Sequence, residues 1–187
     1  MEGQDEDDDF SRDEVAERVI RLTGEISEES SESFIQKLHT VAQVPGEITV
    51  VISSDGGDIE EGLRLIDALN IAKHTGSRIT TTVSGKAYSM AAYLYLVGDV
   101  RTMYPHARLM FHSGRYEGLG DDEVLTESTL KSMTAELSMF NNTFRSILRN
   151  SGVDDEMISR MLSGDVYLNA EEAISLGIAH SIETQVI

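Results

Sequence analysis

The sequence contains no cysteine and no tryptophan, and it has only two prolines. Without cysteine there is no disulfide framework, no thiolate zinc site and no cysteine nucleophile. The lack of disulfides is compatible with a reducing compartment, and we expect a cytoplasmic protein. Long apolar runs are also missing, because glycine and charged residues interrupt the apolar stretches, so no segment is expected to span a membrane.

Basic residues are few: 15 lysines and arginines stand against 33 aspartates and glutamates, which gives a formal charge of −18. Nucleic acids and anionic membranes are bound through clustered lysine and arginine, so neither is expected as a partner. Residues 1–14 are especially acidic, contain few apolar groups and lack the features of a secretory signal. We expect these residues to form a disordered tail, and residues 15–187 to form one folded domain.

Apolar patterns along the rest of the chain alternate between those of strands and helices. Residues 48–52 are continuous and β-branched, as in a buried strand, whereas Ile59, Leu63 and Ile66 recur at helical spacing. This alternation predicts an α/β fold with largely parallel pairing. We expect strands near 18–22, 48–52, 78–83, 101–104, 109–112 and 178–182, turns at 53–57 and 84–88, and helices after Ser27 or Ser30 and near 59–72, 89–97, 121–150, 154–162 and 170–176.

Two predicted junctions between a strand and a helix have the composition of a site. In the first, Gly56 and Gly57 follow a buried strand, and glycine allows backbone N–H groups to approach a ligand oxygen. In the second, Ser89 begins a helix among small residues and can present its hydroxyl over the ends of the strands. Each junction has a structural alternative, since a glycine pair commonly forms an ordinary turn and a serine commonly caps a helix.

A serine nucleophile requires a base and a group that orients the base. Of the five histidines, His112 is the best placed, because it ends an apolar strand at the edge where α/β sites gather. A half-buried structural histidine is the alternative. Asp165 precedes the apolar residues 166–168, so we expect a partly buried carboxylate, with a simple turn residue as the alternative. The remaining histidines, expected on helix surfaces, in a turn and on a strand face, are His39, His74, His106 and His180.

Five sequence blocks, taken in order, resemble the proteolytic subunit of Clp protease, the ClpP family. The blocks are RVIRLTG from Arg18, SDGG from Ser54, GKAYSM from Gly85, RLMFH from Arg108 and DVYLNAEEA from Asp165. The resemblance covers about residues 17–184. It implies an α/β fold of the ClpP/crotonase-like type, a spiral of ββα units in a single domain with a long handle-like helix.

The resemblance also implies an activity and an assembly. Ser89 matches the family's nucleophile, His112 its general base and Asp165 the acid that orients the histidine, while the backbone N–H groups of Gly57 and Met90 match the oxyanion hole. The implied protein is a serine endopeptidase for peptides or unfolded proteins, without a cofactor or metal. It forms a homo-oligomeric heptameric ring, which in the family stacks into a double ring.

Some positions depart from the family pattern. Relatives that bind a ring ATPase carry an apolar pocket at positions that are here Thr49, Val51, Thr82 and Ser84, and three of these four are small and polar. A Clp-type ATPase partner is therefore not favoured.

Other departures concern the contact between rings. Gly164 stands where many relatives have an arginine used between rings, and residues 113–122 are glycine-rich and shortened, so a single ring is favoured over a double one. Tyr88 replaces a small residue before the nucleophile. Divergent copies of this kind occur in viral and prophage genomes.

Two other classes of protein stay open at this point. A crotonase-like acyl-CoA enzyme would keep the oxyanion hole but needs a basic pocket for the CoA phosphates, against which the acidic composition argues. A non-catalytic ring or scaffold protein derived from a protease would not need Ser89, His112 and Asp165 together.

Overall fold

The computed structural model of the protein describes residues 18–116 and 126–184. The expected acidic tail at residues 1–14 lies outside the described residues. The strands are β1 (Val19–Ile26), β2 (Glu47–Gly57), β3 (Arg78–Tyr88), β4 (Val100–Met103), β5 (Arg108–Phe111), β6 (Val166–Asn169) and β7 (Ser181–Ile182). The helices are α1 (Glu28–Val41), α2 (Ile59–His74), α3 (Met90–Tyr95), α4 (Glu127–Asn150), α5 (Asp155–Met161) and α6 (Ala170–Ser175).

The strands form one mostly parallel sheet. β1, β2 and β3 are neighbours, β4 and β7 continue the sheet beyond β3, and β5 also pairs with β3. β3 changes partner along its length, because it pairs with β4 from Thr80 to Val83 and with β5 from Lys86 to Tyr88. β6 pairs with β5 in the antiparallel direction. The expected α/β class with largely parallel pairing is confirmed.

The core lies between the sheet and helices α1, α2 and α3. Alternate residues of β2 are fully buried: Ile48, Val50 and Ile52. α1 packs against β1 and α2, and α3 packs against β2 and β3. Burying each such aliphatic side chain stabilises the fold by about 1.5–3 kcal/mol. α4 is different, since only Phe144 and Leu148 of its 24 residues are buried.

Helix ends follow the expected capping chemistry. The Ser27 side chain caps α1 by accepting a hydrogen bond from the Ser30 N–H, and the Ser30 hydroxyl oxygen in turn accepts one from the Ser27 N–H. Asn169 and Glu172 form the same reciprocal arrangement at α6. Gly177, just after α6, has a φ of +70°, which favours glycine.

Three expected boundaries were wrong. Residues 53–57 and 84–88 were expected as turns, but β2 continues to Gly57 along β1, and β3 continues to Tyr88 along β5. The long helix was expected from about residue 121, but Thr126 is an extended N-cap and α4 begins at Glu127, while residues 121–125 lie outside the described part. β6 was not expected at all.

Within residues 18–116 and 126–184, none of the helices combines the length and the apolar character that crossing a membrane requires.

Candidate active site

Ser89 occupies a sharp turn between β3 and α3. Its φ of +52° and ψ of −127° make it the one non-glycine residue with positive φ among the residues described. A serine in this region is strained and persists only where its surroundings hold it. The Ser89 N–H donates to the Met110 carbonyl of β5 at 2.8 Å, and the Ser89 carbonyl accepts from the Ala92 N–H at 2.9 Å. The Ser89 side chain makes no capping hydrogen bond, so its hydroxyl does not serve as a conventional N-cap.

Of the two glycines at the end of β2, Gly56 packs directly on this turn and Gly57 packs on Ile26 of β1. A Cβ at Gly56, whose φ is +95°, would lie 2.7 Å from the Tyr88 carbonyl oxygen and 2.8 Å from the Ser89 Cβ. At Gly57, a Cβ would lie 2.3 Å from the carbonyl oxygen of Ile26. Neither position has room for a side chain, so the close approach requires glycine. The two junctions predicted from the sequence therefore meet in the folded chain.

Two backbone N–H groups lie beside Ser89. The Asp58 N–H donates to the Ile26 carbonyl of β1 at 2.9 Å. Successive residues of a strand direct their N–H groups to opposite sides, so the N–H of the preceding residue, Gly57, points to the other side of β2. This geometry turns the Gly57 N–H away from β1. The Met90 nitrogen lies 3.0 Å from the position that a Gly56 Cβ would occupy. As the first residue of α3, Met90 has an N–H with no acceptor inside the helix.

His112 follows the last residue of β5 and is 8% exposed. Its carbonyl accepts a hydrogen bond of 2.7 Å from the buried hydroxyl of Tyr93 in α3. Tyr93 also stacks on Phe144, with ring centroids 4.1 Å apart. Burial raises the pKa of Tyr93, so its hydroxyl stays protonated and available as a donor. The helix that begins beside Ser89 thus fixes the backbone of His112.

Tyr93 contributes to the site although it was not among the residues predicted there. In the sequence it belongs to an apolar helix and gives no sign of its contact with His112, 19 residues away.

Asp165 immediately precedes β6, as His112 immediately follows β5. The antiparallel pairing of the two strands ends at Phe111 and Val166, so His112 and Asp165 are the next residues beyond the last pair. The carboxylate was expected to be partly buried, and its side chain is 47% exposed. Its Oδ1 atom lies 3.9 Å from Nη1 of Arg115, which is itself half-exposed.

A cleft of about 840 Å³ opens over these groups. Four of the five residues expected at the site, Gly57, Ser89, Met90 and His112, line it. Asp165 does not line the cleft; it follows the last residue pair of β5 and β6, at the same end of that pair as His112. Among the described residues, no three histidine, aspartate or glutamate side chains are grouped to hold a metal ion.

The whole chain matches one protein family. A model of the Clp protease family matches residues 2–186. The mixed α/β architecture with its mostly parallel sheet is consistent with the ClpP fold. Members of this family are peptidases, and the match spans nearly every residue of the chain. The chain therefore belongs to the Clp protease family.

Proposed function

We propose that the protein is a serine endopeptidase in which Ser89 is the nucleophile, His112 the general base and Asp165 the group that orients His112. The observation that carries this proposal is the strained backbone of Ser89 in a cleft that His112 also lines. Strained residues cluster at active sites, and a sharp turn between strand and helix is how many serine hydrolases expose the nucleophile.

The reaction proceeds in two stages. Ser89 Oγ attacks the carbonyl carbon of the scissile peptide bond while His112 accepts the hydroxyl proton. When the tetrahedral intermediate collapses, the C–N bond breaks, His112 gives the proton to the leaving amine, and an ester remains on Ser89. A water molecule then attacks the ester with His112 again as base, which releases the carboxylic product and restores the hydroxyl.

The N–H groups of Gly57 and Met90 serve as the oxyanion hole. Both belong to backbone held by neighbouring strands or by α3, so they need not reorganise as negative charge develops on the carbonyl oxygen. Removing one such donor from a serine protease slows catalysis by about 10²–10³. Activity is expected to fall at acidic pH, because a protonated imidazole cannot accept the Ser89 proton.

The acyl-CoA alternative is not favoured by the charge of the cleft. Among the described residues, its lining includes the acidic residues Glu25, Asp55, Asp58, Glu60 and Glu136 and a single lysine or arginine, Arg115. The phosphates of CoA would be repelled there. A scaffold protein without catalytic activity would not require a strained backbone at Ser89, so this alternative is also less favoured.

We propose further that the protein acts as a homo-oligomeric ring on peptides or unfolded proteins. α4 supports this proposal, because it carries the exposed apolar side chains Leu130 and Met139, which are 49% and 70% exposed in the single chain. Exposed apolar side chains on a long helix are typical of surfaces that associate. Native mass spectrometry of the full chain measures the number of subunits and separates a single from a double ring.

Labelling with a fluorophosphonate probe tests the activity. The wild-type protein should be labelled at Ser89, as located by mass mapping, and Ser89→Ala should lose the label while keeping its circular dichroism spectrum and native mass. Labelling that persists in Ser89→Ala would contradict the assignment of the nucleophile, and an unlabelled wild-type protein would favour the scaffold.

A further inference from the structure

One end of the cleft combines an apolar floor with an acidic mouth. The floor includes Met90 and Phe144, which are 1% and 2% exposed, and the partly buried Ile59 and Phe140. Along α4, Glu136, Phe140 and Phe144 follow one another at four-residue spacing, so they share one face of the helix. This face runs from an exposed carboxylate to a fully buried ring.

Gly114 shows that α2 and α4 approach each other at this end of the cleft. A Cβ at Gly114 would lie 3.3 Å from Cδ1 of Ile59 in α2 and 3.4 Å from Cδ2 of Leu137 in α4. The Gly114 N–H also donates to the Asn141 side chain of α4 at 2.8 Å. Glu60 follows Ile59 in α2, and Glu136 precedes Leu137 in α4. Both glutamates line the cleft, so the two helices contribute one carboxylate each to this opening.

Tyr116 lines the same cleft as the two carboxylates. Its hydroxyl donates a hydrogen bond to Glu136. This hydrogen bond is the main cause that raises the pKa of Tyr116, and the charges of Glu136 and Glu60 raise it further. Both carboxylates thus act on one phenol, which agrees with their placement in the same opening.

Among the described residues, the carboxylates near the mouth differ in whether a cation or a backbone group pairs with them. Asp55 is paired with Lys86 at 2.6 Å, and Asp58 caps α2 by accepting from the Glu61 N–H at 2.9 Å. Arg115 lies near Asp165. Glu60 and Glu136 line the cleft without a cation from the residues described within ion-pair distance.

We propose that the cleft selects peptides with a lysine or arginine next to the scissile bond, whose aliphatic stem lies on Ile59 and Phe140 and whose cationic end lies between Glu60 and Glu136. This inference rests on the proposed peptidase function. An apolar floor alone would accept any large apolar side chain, and acidic groups alone would attract cations without a defined position. The two together match a side chain that has an apolar stem and a charged end.

The experiment compares internally quenched peptides that differ at a single position. Each position flanking the scissile bond carries lysine, norleucine, which keeps the carbon stem without the charge, or glutamate. At one such position we expect kcat/KM for lysine to exceed that for norleucine about fivefold at low salt, the order of one charge contact in water. The ratio should shrink at high salt because exposed charges are screened.

Glu60→Gln/Glu136→Gln removes both charges but retains an acceptor for the Tyr116 hydroxyl. In this double variant, lysine and norleucine peptides should be cleaved at nearly equal rates. The matched control is Glu29→Gln/Glu156→Gln, which changes the net charge equally at exposed residues outside the cleft and should keep the preference for lysine.

Binding to Ser89→Ala separates this inference from the proposed function. Fluorescence anisotropy should give tighter binding of the lysine peptide than of the norleucine peptide. Equal binding and cleavage of the two peptides, or a preference that survives in Glu60→Gln/Glu136→Gln, would overturn the inference and leave the peptidase intact. A different outcome is a wild-type protein that binds lysine peptides preferentially but neither cleaves them nor reacts with the fluorophosphonate probe. That result would support the acidic subsite and contradict the proposed peptidase function.

Discussion

At Gly56, the backbone of β2 lies directly against the turn that carries Ser89. Gly56→Ala would force a methyl group to within 2.7 Å of the Tyr88 carbonyl oxygen, in a φ region that side chains rarely adopt. We expect this variant to lose most peptidase activity, because the Ser89 turn or the strand carrying Gly57 must move. Thermal unfolding should show a loss of at least about 1–3 kcal/mol, the usual cost of local backbone strain.

Gly24→Ala is the matched control for that prediction. Gly24 has a similar φ of +80°, but a Cβ there would meet no atom within 4 Å. We expect backbone strain without a clash, so stability falls by about 1 kcal/mol while kcat is retained. Equal losses of activity in the two variants would show that the contact between Gly56 and Ser89 does not matter for catalysis.

In the proposed mechanism, Asp165 acts on catalysis through His112. Asp165→Asn keeps the size of the side chain but removes the negative charge that stabilises a protonated imidazole. We expect kcat to fall by about 10⁴, as for the orienting aspartate of a well-known triad, with KM nearly unchanged. Steady-state kinetics on a short fluorogenic peptide measures both constants.

Asp67→Asn, at an exposed position on α2 away from the cleft, is the control and should behave as wild type. If Asp165→Asn kept a near wild-type kcat, Asp165 would have no place in the mechanism.

Arg115→Gln is expected to lower kcat much less than Asp165→Asn does, because the contact between Arg115 and Asp165 is 3.9 Å long and half-exposed.

The conformation of Ser89 could not be predicted from its neighbours. The sequence pattern predicted a serine between a strand and a helix, yet the same pattern fits an ordinary N-cap, which has φ near −60° to −130° and a side chain bonded to the helix. What decides between them is the hydrogen bond from the Ser89 N–H to Met110, a residue that is distant in sequence. Local patterns contain no information about that partner.

At the scale of whole elements, local signals predicted helices well and strand ends poorly. The reciprocal cap of Asn169 and Glu172 involves residues three apart, so the start of α6 could be read from the sequence. The continuation of β3 beyond Val83 depends on pairing with β5, and β6 exists only because β5 is there to pair with it. Such pairing between distant residues leaves no local periodicity, and it is the pairing of β6 with β5 that brings Asp165 to the end of the sheet where His112 lies.

α3 begins next to Ser89 and contacts His112 through Tyr93. Tyr93→Phe would keep the stacking on Phe144 but remove the hydrogen bond to the His112 carbonyl. A buried carbonyl that loses its donor costs about 1–3 kcal/mol. We therefore expect a lower melting temperature and a lower kcat with little change in KM, because His112 is held less firmly.

Tyr95→Phe is the matched control on the same helix. The Tyr95 ring is fully buried like that of Tyr93, but its hydroxyl has no hydrogen-bond partner among the described residues. Removing an unsatisfied buried hydroxyl is expected to leave stability unchanged or to raise it by about 1 kcal/mol. If both variants lost activity equally, ring burial and not the bond to His112 would explain the effect.

For the whole molecule, the open question is whether a partner ATPase controls access. Of the four positions at which the resemblance places the apolar docking pocket, two do not reach the surface. Thr82 is fully buried and shares a hydrogen bond of 2.9 Å with Thr102, and Val51 is 5% exposed. Thr49 and Ser84 are half-buried and polar. The chain thus offers no apolar anchor for a partner at these positions.

We therefore predict no measurable binding to a standard bacterial Clp ATPase, and cleavage limited to short or unfolded peptides. A few apolar anchors usually dominate an interface, at about 2 kcal/mol or more each. Losing several of them weakens binding by orders of magnitude, since about 1.4 kcal/mol is a factor of ten in affinity. A pull-down and a degradation assay with a folded, tagged substrate and ATP test this, with the ATPase's own proteolytic partner as the positive control. Because the control shows that the ATPase is active, ATP-dependent degradation of the folded substrate by this chain would mean that docking uses a different surface.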